Sequence, residues 1–178
     1  MKTLIIILGA IGVGKSTLTR KICGEGGIEH QYRKVKYAIF PSGHAIAGNI
    51  KNGSDSISSM QDRADLIDFL LQQENVKCVI TDGVRCSKKW DVTWIQDHFK
   101  DSISVLYVLF DLPWEENLRR LKARRASNGK TIELSEKTLA NVKAFRDRAI
   151  GVWKAAQEYE GGAEYMIIRG DPLHKWVP

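Results

Sequence analysis

The clearest chemistry lies near the start of the chain, in Gly9-Ala10-Ile11-Gly12-Val13-Gly14-Lys15-Ser16-Thr17. The stretch follows the apolar run Leu4-Ile5-Ile6-Ile7-Leu8 and leads into Leu18-Thr19-Arg20-Lys21-Ile22, a helical pattern. A buried strand, a glycine loop and a helix start carrying G-x-x-x-x-G-K-[ST] make a phosphate-binding loop, the P-loop. Gly9, Gly12 and Gly14 let the backbone turn tightly, so that N–H groups from Ala10 to Thr17 can face phosphate oxygens. The helix start adds partial positive charge. Lys15 has the reach for the β- and γ-phosphates of ATP, and the Ser16 hydroxyl suits Mg²⁺, a cation that takes oxygen ligands. The competing reading of the N-terminus is a secretory signal peptide, because Met1-Lys2-Thr3 precedes the apolar run. Glycines interrupt that run, and no small-x-small cleavage site follows it at the right place.

Two further groups could act with the loop. Asp82 closes the apolar run Val76-Lys77-Cys78-Val79-Ile80-Thr81. A carboxylate at a strand end can orient Mg²⁺ through water, although Asp82-Gly83 is also a common turn pair. Arg119, Arg120, Lys122, Arg124 and Arg125 crowd one short segment. Arg120 and Arg124 are spaced i, i+4 and share a helix face. They read either as a phosphate clamp or as a solvated basic face paired with Glu115 and Glu116. The net charge is +6 and the pI about 9.2. Nucleic-acid binding is one reading of that balance. A site that neutralises anionic substrates is the one favoured, because the P-loop already implies anions.

The elements that must hold these groups alternate strand and helix. Strands are expected at residues 3–8, 35–40, 76–81, 103–110 and 164–169. Helices are expected at 15–23, at a short stretch 44–51, over the face Ala64, Leu66, Ile67, Phe69, Leu70 and Leu71, and at 91–99, 114–125 and 136–158. Ser58 or Ser59 and Ser135 are candidate caps, and Pro113 is placed to start a helix. Alternation of this kind predicts an α/β fold: a parallel sheet covered by helices on both faces, with ligands at the carboxyl ends of the strands. The 178 residues suit one domain. Two small insertions are expected, at about 42–74 and about 124–134. No apolar run reaches membrane-spanning length. Cys23, Cys78 and Cys86 are odd in number and lack metal-ligand spacing, which suggests a reducing, cytoplasmic setting.

The order of P-loop, short second strand, Thr81-Asp82-Gly83-Val84-Arg85, arginine-rich segment and long last helix resembles the nucleoside monophosphate kinase group, adenylate kinase above all. It is also similar to phage deoxynucleotide kinases and dephospho-CoA kinase-like proteins. The resemblance implies a three-layer P-loop NTPase fold with a five-stranded parallel sheet in the order 2-3-1-4-5. It implies ATP and Mg²⁺ as cofactors, with Gly9, Ala10, Gly12, Val13, Gly14, Lys15, Ser16, Thr17, Arg120 and Gly170 on the nucleotide and Ser16 and Asp82 toward the metal. Pro41-Ser42-Gly43-His44 resembles the start of the family's monophosphate-binding helices, so Ser42, Gly43 and His44, with Arg85, are expected on the acceptor. Lys15, Asp82, Arg120, Arg124 and Arg148 are the expected catalytic set, with Arg146 a neighbouring candidate. The departures are His44 for the family's Asp and Ala47 for its phosphate-binding Arg, with Lys51 one turn on. Asp-Gly-Val-Arg is also one residue shorter than Asp-Gly-Phe-Pro-Arg.

The expected function is therefore transfer of the ATP γ-phosphoryl to a nucleoside or deoxynucleoside monophosphate. The alternative is a P-loop kinase of a hydroxyl acceptor, such as dephospho-CoA, a nucleoside, a small metabolite or a polynucleotide end. A nucleotide-binding switch without turnover is a third reading. No GTPase-type Asn-Lys-x-Asp and no basic stripe with interleaved aromatics supports it. The partners expected are nucleotide substrates rather than nucleic acid or membrane, with the chain a monomer or dimer.

Overall fold

The computed structural model describes residues 1–50, 57, 59–82, 89–99, 102–159 and 162–169. Strand β1 (Lys2–Gly9) runs into the glycine loop and helix α1 (Lys15–Cys23). A hairpin of β2 (Ile28–Tyr32) and β3 (Val35–Ile39) follows, then β4 (His44–Ile46) and α2 (Met60–Gln72). The rest is β5 (Cys78–Asp82), α3 (Lys89–Phe99), β6 (Ile103–Phe110), α4 (Trp114–Ser127), α5 (Glu136–Glu158) and β7 (Glu164–Ile168).

These strands form one seven-stranded sheet in the order β2-β3-β4-β5-β1-β6-β7. From β4 to β7 every neighbouring pair is parallel. β3 is antiparallel to β4, and β2 to β3. Successive residues of the central strands point to opposite faces, and each face has its own core. Leu4, Ile6, Leu8, Val79, Val105, Tyr107 and Leu109 pack with α2, α3 and most of α5. Ile7, Ile80, Val108 and Phe110 pack with Leu18 of α1 and Leu121 of α4. Helices therefore cover both faces, as alternation predicts. Ser59 caps α2 by accepting from the Asp62 N–H at 3.3 Å, and Ser135 caps α5 by accepting from the Thr138 N–H at 3.3 Å.

The expected five-stranded sheet needs correction. Residues 35–39 do not lie beside the third expected strand. They form the middle of an antiparallel extension, and His44–Ile46, read as helical, takes the parallel place next to β5. The reason is burial on both faces: Ala45 enters one core and Ile46 the other, an alternation too short to read in a row of small residues. β2 escaped notice because Ile28 to Gln31 are exposed and carry no apolar alternation. Its turn has no glycine signal either. Arg33 takes the left-handed conformation, φ 53. It is held there by a Gln31 side-chain bond to its carbonyl at 2.8 Å and by an ion pair with Asp65.

Candidate active site

Because β4, β5, β1, β6 and β7 run parallel, their carboxyl ends share one edge. That edge gathers the glycine loop, Ala47–Ile50, Asp82, and Asp111-Leu112-Pro113. The loop leaves β1 at Gly9, which lies opposite Phe110 of β6. Its backbone takes φ 148 at Gly9, 85 at Gly12 and 108 at Gly14. Gly9 must be glycine for a second reason: a Cβ there would lie 2.9 Å from the Phe110 Cβ. Gly14 is the N-cap of α1 in the left-handed conformation, and no side chain caps the helix. The first N–H groups of α1 are thus presented at the loop, where they and the helix dipole favour an anion.

Lys15 is buried and donates to the carbonyls of Gly9 at 3.0 Å and Ala10 at 2.8 Å. Its ammonium is folded into the loop that would cradle phosphate. Ser16 is half-buried at the helix start and Thr17 exposed. Asp82 ends β5 beside Ile7 of β1 and is 2% exposed. Thr19 Oγ1 lies 3.3 Å from Asp82 Oδ2 and donates to it. Thr19 was missed in the sequence; its spacing of four from Lys15, on the sheet-facing side of α1, is the signal that could have found it.

Helix α4 brings Arg120 onto the loop. Arg120 Nη1 donates to the Val13 carbonyl at 3.2 Å, and Nε donates to Glu116 at 2.6 Å. Glu116 also accepts from Arg119, at 2.7 and 2.9 Å. Hydrogen bonds from Arg119 and Arg120 hold the Glu116 carboxyl far below its usual range, at about 2. Arg124 is exposed one turn further along α4. Arg125 instead pins the following turn, donating to the Thr131 carbonyl at 2.7 Å. On α5, Arg148 is exposed with its guanidinium 5.5 Å from the Phe145 ring. Arg146 is the one aimed at the carboxyl edge, donating to Asp111 at 3.0 Å.

The structure does not bring Ser42, Gly43 and His44 to this edge. Since β3 is antiparallel to β4, the turn between them lies at the amino edge, where the Gly43 carbonyl accepts from Lys77 N–H at 2.8 Å. Ser42 donates to the Cys23 carbonyl at 2.8 Å, so His44 Nδ1, 2.8 Å from Ser42 Oγ, is the donor in that contact. Burial and then the Lys77 charge lower the His44 pKa from its usual 6.5. Arg85, Lys51 and Gly170 lie outside the described residues. A group the sequence reading passed over is Arg63, buried in the first turn of α2. The far end of α2 sits at the amino edge, where Leu71 and Gln73 carbonyls accept from Lys2 Nζ, so the start of the helix lies toward the carboxyl edge. An arginine in register with Leu66, Ile67 and Leu70 on a core face was the available signal. Away from the site, burial, then Cys78 and Asp82, push the Cys23 thiol up to about 12, and burial pushes Cys78 to about 11, so both stay neutral.

The donor set fits Mg²⁺ held with one or two protein oxygens plus substrate phosphates. Ser16 and Asp82 could supply those oxygens. Among the described residues no cluster of three or more His, Cys, Asp or Glu could hold a metal on its own. No described helix is long and apolar enough to cross a membrane.

A parallel α/β core whose first strand ends in this loop, with an arginine from a later helix bonded to it, is a P-loop NTPase fold of kinase-like form. A family model described as AAA domain matches residues 5–141, and the chain belongs to that family. In fold the chain is similar to the crystal structure of polyphosphate kinase 2 from Arthrobacter aurescens TC1, with a TM-score of 0.59 and 16% sequence identity. That match covers 94% of this chain and 61% of the other, so the chain spans about three-fifths of that structure's length. No curated protein matches the sequence.

Proposed function

We propose that this protein is an ATP-dependent phosphotransferase whose acceptor is a nucleoside or deoxynucleoside monophosphate. The observation that carries the reading is one constellation: Lys15 and the uncapped start of α1, the buried carboxylate of Asp82, and Arg120 bonded to the Val13 carbonyl. Such a site has little covalent chemistry to perform. It positions two anions and neutralises charge that spreads over the transferring group.

Each residue has a role that follows from its place. Lys15 exchanges its loop carbonyls for β- and γ-phosphate oxygens. The N–H groups of the loop and of α1 hold the same phosphates. Ser16 and Asp82 would hold Mg²⁺, which would offset the phosphate charge. Arg120 and Arg124, on one face of α4, meet the transferring group. Closure of the 124–134 segment excludes water around it. A monophosphate acceptor has a second pKa of about 6 and is ionised near neutral pH, so it needs no strong base.

A hydroxyl acceptor is the second reading, and two observations favour it. Asp82 is buried at the carboxyl end of β5 beside Ile7 of β1, a place suited to accept a proton. Ser42, Gly43 and His44, one of the stretches that suggested a monophosphate, lie at the other edge. The deciding experiment is ADP release across all ribo- and deoxynucleoside monophosphates and dephospho-CoA. Turnover with one or more monophosphates supports the first reading. Turnover with dephospho-CoA alone supports the second, and ATP binding without turnover on any monophosphate removes the first.

A further inference from the structure

We propose that Glu116 is a positioning residue for phosphoryl transfer: it fixes the Arg120 guanidinium against the phosphate loop. The inference rests on the phosphate role proposed for Arg120. Glu116 Oε1 accepts from Arg120 Nε at 2.6 Å, while Arg120 Nη1 donates to the Val13 carbonyl at 3.2 Å. One end of the guanidinium is thus tied to α4 and the other to the loop. Two anchors fix the plane of a group that otherwise swings on a long, rotamer-rich stem. Arginine carries five N–H donors in a planar fork. Nη1, which carries a second N–H besides the one given to Val13, lies beside Gly14, 3.7 Å from the place a Cβ would occupy. That is the space between the loop and α4 in which an anion held by the loop would sit.

The burial pattern separates Arg120 from its neighbour. The Arg120 side chain is 19% exposed, while Arg119, which shares the same carboxylate, is 71% exposed. Glu116 therefore joins one inward and one outward arginine. Arg119 donates to both oxygens, and Oε1 accepts from Arg119 at 2.9 Å and from Arg120 at 2.6 Å. The carboxylate is ionised throughout the working pH range, so the anchor does not switch with pH. Glu116 also sits in the first turn of α4, where any acid supports the helix dipole. Glu115 shares that place and serves as the control for a merely structural role.

The experiment is a double-mutant cycle on the full chain. It reads kcat and ATP KM for ADP formation with the best acceptor of the panel above. The variants are Glu116→Ala, Glu116→Gln, Arg120→Ala and Glu116→Ala/Arg120→Ala, with Glu115→Ala and Arg119→Ala as controls and thermal melting as the fold check. Glu116→Ala is expected to lower kcat by about tenfold, the scale of coupling between residues in direct contact. ATP KM should stay within about threefold, because a misplaced transition-state group acts on kcat. In the Arg120→Ala background the same change should cost nothing further. Glu116→Gln, which keeps an acceptor for Nε, should fall between. Both controls should keep kcat. Full activity of Glu116→Ala beside an impaired Arg120→Ala overturns the proposal, as does an equal loss from Glu116→Ala in both backgrounds. If Arg120→Ala is itself fully active, the role of Arg120 fails and the proposal with it. The kinase reading is judged separately, by Lys15→Ala.

Discussion

Gly9→Ala tests whether the loop geometry is a packing requirement as well as a functional one. At φ 148 the added Cβ meets the Phe110 Cβ at 2.9 Å, Val13 Cγ2 at 3.1 Å and the Phe110 carbonyl at 3.2 Å. None can retreat cheaply. Phe110 is 2% exposed and paired with Gly9 across the β1–β6 ladder, and Val13 is 2% exposed. A residue with a Cβ in such a backbone region costs about 1–3 kcal/mol. Overpacking a filled core adds about 1–3 kcal/mol. The sum, about 2–6 kcal/mol, corresponds to a fall in Tm of about 5–20 °C for a chain of this size. Gly151→Ala is the matched contrast: it lies inside α5 with nothing within 4 Å of a new Cβ. There alanine should stabilise by about 0.5–1 kcal/mol. Thermal melts of the two variants, with ATP binding followed in parallel, decide the matter. The expected result is a large loss with weakened ATP binding for Gly9→Ala and a small gain for Gly151→Ala. A Gly9→Ala protein melting within a degree of wild type would refute the reasoning.

Three other outcomes follow from the same geometry. Arg120→Ala should raise the barrier by about 3 kcal/mol, near a hundredfold in kcat, with Arg124→Ala acting in the same sense; if both keep wild-type kcat under saturating substrates, the cluster is a solvated helix face. Asp82→Asn, which preserves volume and the contact with Thr19, should cost about 10–100-fold with a monophosphate acceptor, partly recovered by raising Mg²⁺, but up to about 10⁴-fold with a hydroxyl acceptor that needs a base. The His44 pKa is lowered in the folded chain by burial and Lys77, so the unfolded chain takes up the proton first: stability is full above the usual value of 6.5 and falls as pH drops through it toward the lower folded value. His44→Gln should flatten the decline of Tm between pH 7.5 and 5.5 (chosen to bracket that value of about 6.5), and an unchanged decline assigns it to other groups.

The parts of the fold legible in the sequence were those in which one local rule dominated. The apolar run before Gly9, the pattern of β6, the Ser59 and Ser135 caps and the alternation of strand and helix each rest on a strong short-range signal. The hairpin was not legible, because β2 buries almost nothing and Arg33 turns the chain where glycine or asparagine would announce a turn. Once β2 and β3 are antiparallel additions, the loop holding Ser42, Gly43 and His44 moves to the amino edge. A motif read by resemblance alone could not reveal that reversal. Within the site, the glycine turns of the loop were legible, and the i, i+4 spacing suggested the Arg120 face. What spacing could not supply was the partner geometry: Glu116 read as one of two interchangeable acids, whereas only contact with Arg120 and, through it, Val13 distinguishes it from Glu115. Arg63 was hidden for a related reason, since an arginine in a helix pattern reads as solvated until burial shows otherwise.

The central claim is that the loop around Lys15 presents ATP for phosphoryl transfer. The direct measurement follows the γ-phosphoryl itself: γ-labelled ATP and Mg²⁺ are incubated with the monophosphate panel, wild type beside Lys15→Ala, and labelled products are resolved. The expected result is label on a nucleoside monophosphate with wild type and none with Lys15→Ala, the variant melting near wild type. Label transferred equally by both proteins would contradict it, and no labelled monophosphate from a wild type that still binds ATP would contradict the monophosphate acceptor.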